Sequence, residues 1–452
     1  MTQPMPFFAR RLAVGVLVVA AFAASLASPA AATNIERVVS PSGIEAWLVS
    51  EPSVPLIAMD FAFQGGTSQD PAGKEGLATL AAGLLDEGAG DIDSKSFHER
   101  LENKAIELGY TAGRDQISGS VRTLVEHKDE AFDLLRLSLT APRFEQADID
   151  RVRAQILSIL RRENMDPNDI AYKRWWAEAF AHHPYGRPVR GTPDSVAAIT
   201  ADDLKTYVRN LFARDTLKIS IVGNIDAKAA GVLVDKVFGQ LPAKAIRQPI
   251  ADVVPGELGR RVVVDTDVPQ SVVVLGGTGI ARKDPDFMTA YVVNHILGGG
   301  SFSSRLYREV REERGLAYSV YSMLVPLRHT ALFMSSTATR ADRAGQTLEV
   351  VENQIKRLAA EGPSAEELAK AKSYLTGSYA LNFDTSSKIA AQLVAIQLDD
   401  LGIDYINKRN AVVEAVTLAD VKRVSKRLLD TGLLVTVVGR SPPVTPAKPQ
   451  GD

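Results

Sequence analysis

The chain has 452 residues, 45% of them hydrophobic and 23% charged, and its 52 basic and 54 acidic side chains leave a net charge of −2. That balance excludes nucleic acid or an anionic membrane surface as the main partner, and the length allows two cores. Cysteine is absent, which removes disulfides, thiolate metal sites, a cysteine nucleophile and a lipoprotein anchor.

At the N-terminus, Arg10-Arg11 precede an apolar, uncharged run over residues 12–26, and Ala30-Ala31-Ala32 offers a small-residue cleavage site. Residues 1–32 therefore read as a signal peptide, with a mature chain from Thr33 and a periplasmic or secreted location. The other reading, an uncleaved anchor, is opposed by the shortness of the run. No membrane contact is expected after cleavage.

Residues 44–49 and 56–63 have strand length and an apolar or alternating character. Residues 76–85 have helical spacing. Ser94 is expected to cap a helix with Phe97, Leu101 and Ala105 on one face. Residues 117–124 alternate again, and 129–139 and 146–164 read as amphipathic helices. Residues 242–258, with Pro242, Pro249, Pro255 and Gly256, read as a linker. The four prolines of residues 441–452 mark a disordered tail.

The pattern is written twice. Val54-Pro55 and Asp70-Pro71 return as Val268-Pro269 and Asp284-Pro285, each 214 residues on. The closing helix and strand return too: Ile199-Thr200-Ala201-Asp202-Asp203-Leu204 matches Val416-Thr417-Leu418-Ala419-Asp420-Val421, and each helix leads to an apolar strand ending in Gly223 or Gly439. The reading is an α+β fold of two homologous domains, 33–241 and 259–440, each a mainly antiparallel sheet with helices packed on one face.

Candidate chemistry is sparse. The six histidines are His98, His127, His182, His183, His295 and His329, and no two lie four residues apart as a helical zinc pair requires. His98 and His127 read as exposed helix-end or loop residues, and His182-His183 as a surface turn. No Gly-x-Ser-x-Gly elbow occurs. Gly298-Gly299-Gly300 lacks a phosphate-loop ending; it reads either as an anion cradle before a helix or as a turn that packs closely. Beyond it, Leu306 and Val310 make a buried helix stripe, Gly315 ends the helix, and residues 316–323 form a strand. Arg311 in the last turn and Tyr318 on the strand could both donate to a developing oxyanion. Residue chemistry alone fits better a helix-end arginine and a packed tyrosine.

The stretch from Gly298-Gly299-Gly300 through Arg311, Arg314-Gly315-Leu316-Ala317-Tyr318 and Ser319 resembles the second-domain signature of the pitrilysin/insulinase family of zinc peptidases, which includes the mitochondrial processing peptidases. His183-Pro184-Tyr185-Gly186-Arg187-Pro188 and Gly191-Thr192-Pro193 extend the resemblance over nearly the whole mature chain. Zinc-binding members carry His-x-x-Glu-His in the helix matching residues 76–88. Here Thr79, Ala82 and Gly83 stand at those three positions, and residues 151–162, where a distal glutamate belongs, contain no carboxylate. The resemblance therefore implies no metal in this chain. It implies zinc in a partner subunit, a zinc-motif paralogue forming a heterodimer, with Arg311 and Tyr318 contacting the scissile peptide. Gly298, Gly299 and Gly300 would border the substrate, a peptide or unfolded segment. The alternative it leaves open is a non-catalytic structural or binding protein.

Overall fold

Eleven strands in two sheets organise the computed structural model, which describes residues 34–440; the expected leader (1–32) and tail (441–452) lie outside them. The first sheet holds β1 (Glu36–Val39), β2 (Glu45–Ser50), β3 (Leu56–Gln64), β4 (Glu107–Ala112), β5 (Gln116–Leu124) and β6 (Leu217–Gly223). The second holds β7 (Arg261–Asp265), β8 (Gln270–Thr278), β9 (Ala317–Pro326), β10 (Ala331–Arg340) and β11 (Leu434–Gly439). Their orders are β1-β2-β6-β3-β5-β4 and β7-β11-β8-β10-β9. With β1 set aside, the second order reproduces the first. Both sheets are antiparallel except for one pair, β2 with β6 and β7 with β11. Trp47 lies opposite Ser220, as Val263 lies opposite Val437. The duplication in sequence is thus a duplication of topology.

Alternation along β3 decides which side chains meet the helices. Ile57, Met59, Phe61 and Phe63 enter the first core with Leu80, Leu135 and Phe238. In β8, Val273 and Leu275 do the same with Val292, Val351 and Val424. The expected helical layer is present in both halves.

The opposite face of each sheet is covered as well, and by the other half. Ala171, Trp175 and Ala179, at helical spacing on Pro167–Ala179, pack on Val272, Val274, Leu434 and Val438 of the second sheet. Reciprocally, Ala390, Leu393 and Ile396 of Ser386–Leu398 pack on Trp47, Val49 and Val222 of the first. Each crossing carries a side-chain hydrogen bond to a strand carbonyl. Trp175 Nε1–H donates to the Leu434 carbonyl at 3.0 Å, and Gln397 Nε2–H donates to the Ile219 carbonyl at 2.9 Å. Leu434 and Ile219 lie on equivalent strands, β11 and β6. A strand buried on both faces reads as a continuous apolar run, and every residue of β11 is buried.

Three local expectations change. Ala105 lies beyond the end of Ser94–Asn103, exposed and at φ 49°, and so is not on the buried face of that helix with Phe97 and Leu101. Asp93, not Ser94, caps Ser94–Asn103, accepting from Ser96 N–H at 2.8 Å. The Ser94 hydroxyl donates instead to Glu87 at 2.5 Å. Residues 242–258 form neither helix nor strand and are tied to both halves. Ile246 N–H donates to the Asn210 carbonyl at 2.7 Å, and Val253 N–H to the His329 carbonyl at 2.8 Å. Among the described residues, no helix is long and apolar enough to cross a membrane.

Candidate functional site

In the first half, the helix Leu77–Ala82 begins where Gly76 takes a left-handed φ of 95°. Asp70 holds this start, its two carboxylate oxygens accepting from Gly76 N–H at 2.9 Å and Ala78 N–H at 3.0 Å. Burial pushes that carboxyl up to about 7, against the lowering effect of the backbone bonds.

The positions that would face a metal are closed by packing. Thr79 Oγ1 donates to the Val189 carbonyl at 2.8 Å, and Ala82 is buried. A Cβ at Gly83 would stand 3.2 Å from a methyl of Val152, which lies on Gln146–Glu163, the helix expected to carry a distal carboxylate. The glutamates in these segments hold cations. Glu87 pairs with Arg151 at 2.5 Å and lies 3.2 Å from His98, while Glu163 pairs with Arg190 at 2.6 Å and Lys173 at 2.9 Å. His98, expected as an exposed helix-end or loop residue, stands within Ser94–Asn103 with 41% of its side chain exposed and rests against Glu87. Among the described residues, no group of three or more His, Cys, Asp or Glu side chains could hold a metal. A hydroxyl, a methyl and a bare glycine offer zinc nothing to bind, so these residues do not fit the ion.

In the second half, the Arg311 segment is built differently from a regular helix. His295–Gly299 and Tyr307–Glu312 are wide π-helical turns, a form that concentrates at functional sites. Leu306 and Val310 are fully buried and anchor the second turn. Gly315, at φ 57°, ends it, with its N–H on the Arg311 carbonyl at 3.0 Å. The chain reverses there into β9, which carries Tyr318.

This reversal brings Arg311 and Tyr318 together. The guanidinium carbon lies 4.3 Å from the Tyr318 ring centroid and 5.0 Å from that of Tyr307. Phe302 continues the row, edge-on to Tyr307 at 5.0 Å. Tyr318 is 80% exposed and Phe302 74%. Neighbouring arginines are engaged with carboxylates: Arg305 with Glu367 at 2.6 Å, and Arg314 with Glu309 at 2.8 Å. The Arg311 guanidinium makes no hydrogen bond or ion pair among the described residues, and neither does the Tyr318 hydroxyl. Stacking fixes the guanidinium while its donors stay open, an arrangement suited to an acceptor from outside the chain. Neither Tyr307 nor Phe302 was singled out in the sequence; for Tyr307, four residues before Arg311, the i,i+4 spacing was the available signal.

The three glycines are closely packed at their Cα atoms. A Cβ on Gly298 would lie 2.6 Å from the Ser322 nitrogen on β9, one on Gly299 2.6 Å from Asn294 Nδ2, and one on Gly300 2.7 Å from the His295 carbonyl. Of the two readings of this run, close backbone packing is the one the geometry carries. His183 serves a turn, as expected: its Nδ1 accepts from Tyr185 N–H at 3.1 Å, and Nε2 meets the Ala251 carbonyl at 3.0 Å.

Comparison with known proteins adds the following. Residues 48–193 match the family model described as insulinase (peptidase family M16), and residues 198–375 match the one described as peptidase M16 inactive domain. The chain is 29% identical over 338 residues to a non-peptidase homolog of Helicobacter pylori, covering 74% of this chain and 77% of that protein. It is 26% identical over 417 residues to an uncharacterized zinc protease of Streptomyces coelicolor, covering 90% of each. Among solved structures, a peptidase M16 inactive domain from Pseudomonas fluorescens superposes with a TM-score of 0.85 at 26% identity, covering 90% of this chain and 98% of that one. A Helicobacter pylori protease superposes at 0.83 and 19% identity, covering 90% and 99%.

Proposed function

The chain belongs to the insulinase family of peptidases, family M16, and from that premise we propose that it is an exported, zinc-free subunit completing the active site of a zinc-bearing paralogue. The partner would supply the metal, its water and a glutamate base. This chain supplies hydrogen-bond donors. As the scissile carbonyl oxygen gains negative charge, the Arg311 N–H groups and the Tyr318 O–H point at it and stabilise the charge. The observation that carries the reading is the pair's geometry: a guanidinium fixed over two rings at 4.3 and 5.0 Å, with no acceptor in its own chain, beside a phenol that is 80% exposed. The closed packing around Thr79, Ala82 and Gly83 supports the division of labour, because those residues cannot hold the metal themselves. Substrates would be peptides or unfolded segments.

Losing one donor to an oxyanion typically costs about 10²–10³ in rate. Arg311→Ala and Tyr318→Phe are each expected to lower turnover of the assembled complex by that order, with assembly by size-exclusion chromatography unchanged. Wild-type turnover in either variant would remove that residue from the mechanism. A second reading, a binding protein without catalysis, draws on the non-peptidase homolog and on the exposed aromatic pair Phe302 and Tyr318, which could anchor an interface. It predicts the reverse pattern: the same substitutions would weaken assembly and leave the paralogue's turnover unchanged.

A further inference from the structure

A cleft of about 370 Å³ opens on the second half, between Ala344–Glu361, the start of Ala365–Gly377 and the turn that precedes Arg311. Its charged lining is Arg305, Arg308, Arg357 and Lys370 against Glu366 and Glu367. Both acids are already matched. Arg305 clasps Glu367 through Nε at 2.6 Å and Nη2 at 2.7 Å, and Lys370 pairs with Glu366 at 2.7 Å. Arg308 and Arg357 are left with distant partners: Glu313 at 3.7 Å and Glu309 at 3.8 Å for the first, Glu361 at 3.8 Å for the second. The lining therefore carries two cations more than its own acids balance.

Two further features point to an anion. Arg305 is 9% exposed, and its Nη1 is buried with no hydrogen-bond partner. The rest of that guanidinium is matched, Nε and Nη2 by Glu367 and Nη2 also by the Gly362 carbonyl at 3.2 Å, so one buried donor group is left without an acceptor, and few such groups are tolerated in folded proteins. Ser364 also caps Ala365–Gly377 at this cleft, its hydroxyl accepting from Glu367 N–H at 3.1 Å. The capping box satisfies part of that first turn and leaves its remaining N–H groups, with the positive end of the helix dipole, to an outside acceptor.

We propose that this cleft binds a small phosphate-bearing anion, gripped by the Arg308 and Arg357 forks with the buried Arg305 behind them. Donors arriving from three segments of chain suit a tetrahedral dianion; a planar carboxylate is already satisfied by one fork. Arg308 lies one helical turn before Arg311 but faces this cleft, so the site is separate from the proposed catalytic pair and does not rest on it.

The test is titration calorimetry of the whole protein, at fixed ionic strength in chloride, with inorganic phosphate, glycerol phosphate and citrate. The Arg308→Gln/Arg357→Gln double variant is measured alongside. Both side chains are more than half exposed, at 53% and 56%, so the variant is expected to fold, and its ligand-free unfolding temperature checks this. The expected result is saturable binding of phosphate at one site, weakened at least about tenfold in the double variant. Tighter binding of glycerol phosphate would identify an organic phosphate as the source, and equal binding free phosphate. No saturable heat, binding unaltered in the double variant, or binding of citrate alone would overturn the assignment.

Discussion

Asp70 and Asp284 occupy the same position in the two copies and do opposite electrostatic work. Asp284 meets Arg427 at 2.6 Å, whose hydrogen bond holds the carboxyl below its usual range. Asp70 meets only backbone N–H groups, and burial pushes it up to about 7. A carboxyl raised in the folded state contributes most below its unfolded value of about 4 and loses that contribution as pH rises through about 7. Wild-type stability should therefore fall relative to Asp70→Asn between pH 4 and 7, by at most about 1.4 kcal/mol per pH unit, and run parallel above. Chemical denaturation across that range measures it; a constant difference would show that Asp70 does not titrate there. The glycines make a second test at this scale. Gly298→Ala should cost about 1–3 kcal/mol through its clash with Ser322, whereas Gly345→Ala, in open space on a helix, should gain about 0.4–1 kcal/mol. Equal effects would refute the packing role. Arg311 and Tyr318 were legible as a pair through the family signature; residue chemistry alone favoured a helix-end arginine and a packed tyrosine, whereas Tyr318 is exposed. The openness of Arg311's donors was not, because it depends on which neighbouring arginines find carboxylates: Arg305 reaches Glu367, 62 residues away in sequence.

The strands and helices read from periodicity, mostly in the first copy, were legible because each half buries one face on its own helices. The exchanged helices were not. The spacing of Ala171, Trp175 and Ala179 announces an apolar face, but nothing in a local pattern says that its sheet begins some ninety residues later, at β7 and β8. The π-helical turns were likewise out of reach, since Leu306 and Val310 keep the spacing of an ordinary helix. Trp175 fills the exchange face against Gly276, where a Cβ would lie 2.7 Å from its ring. Trp175→Ala is expected to cost about 3–5 kcal/mol. Because Trp175 joins a first-half helix to the second sheet, denaturant unfolding followed in both halves should shift together. A shift confined to one half would mean that the halves unfold independently.

At the scale of the molecule, duplication with divergence explains the whole arrangement. Two copies of one topology exchange a helix each and form one compact unit. The first copy keeps the helix that carries a zinc motif in its relatives, but a hydroxyl, a methyl and a glycine now occupy it. The second keeps an arginine and a tyrosine directed outward. On the proposed reading Arg311 and Tyr318 are the donors to an oxyanion, and because no group among the described residues could hold a metal to generate the nucleophile, that reading requires a second subunit. The most direct test titrates a purified zinc-motif paralogue with this protein from zero past equimolar and follows peptide hydrolysis. The account predicts activity rising from near nothing to a plateau at one to one. Activity unchanged across the titration would contradict it.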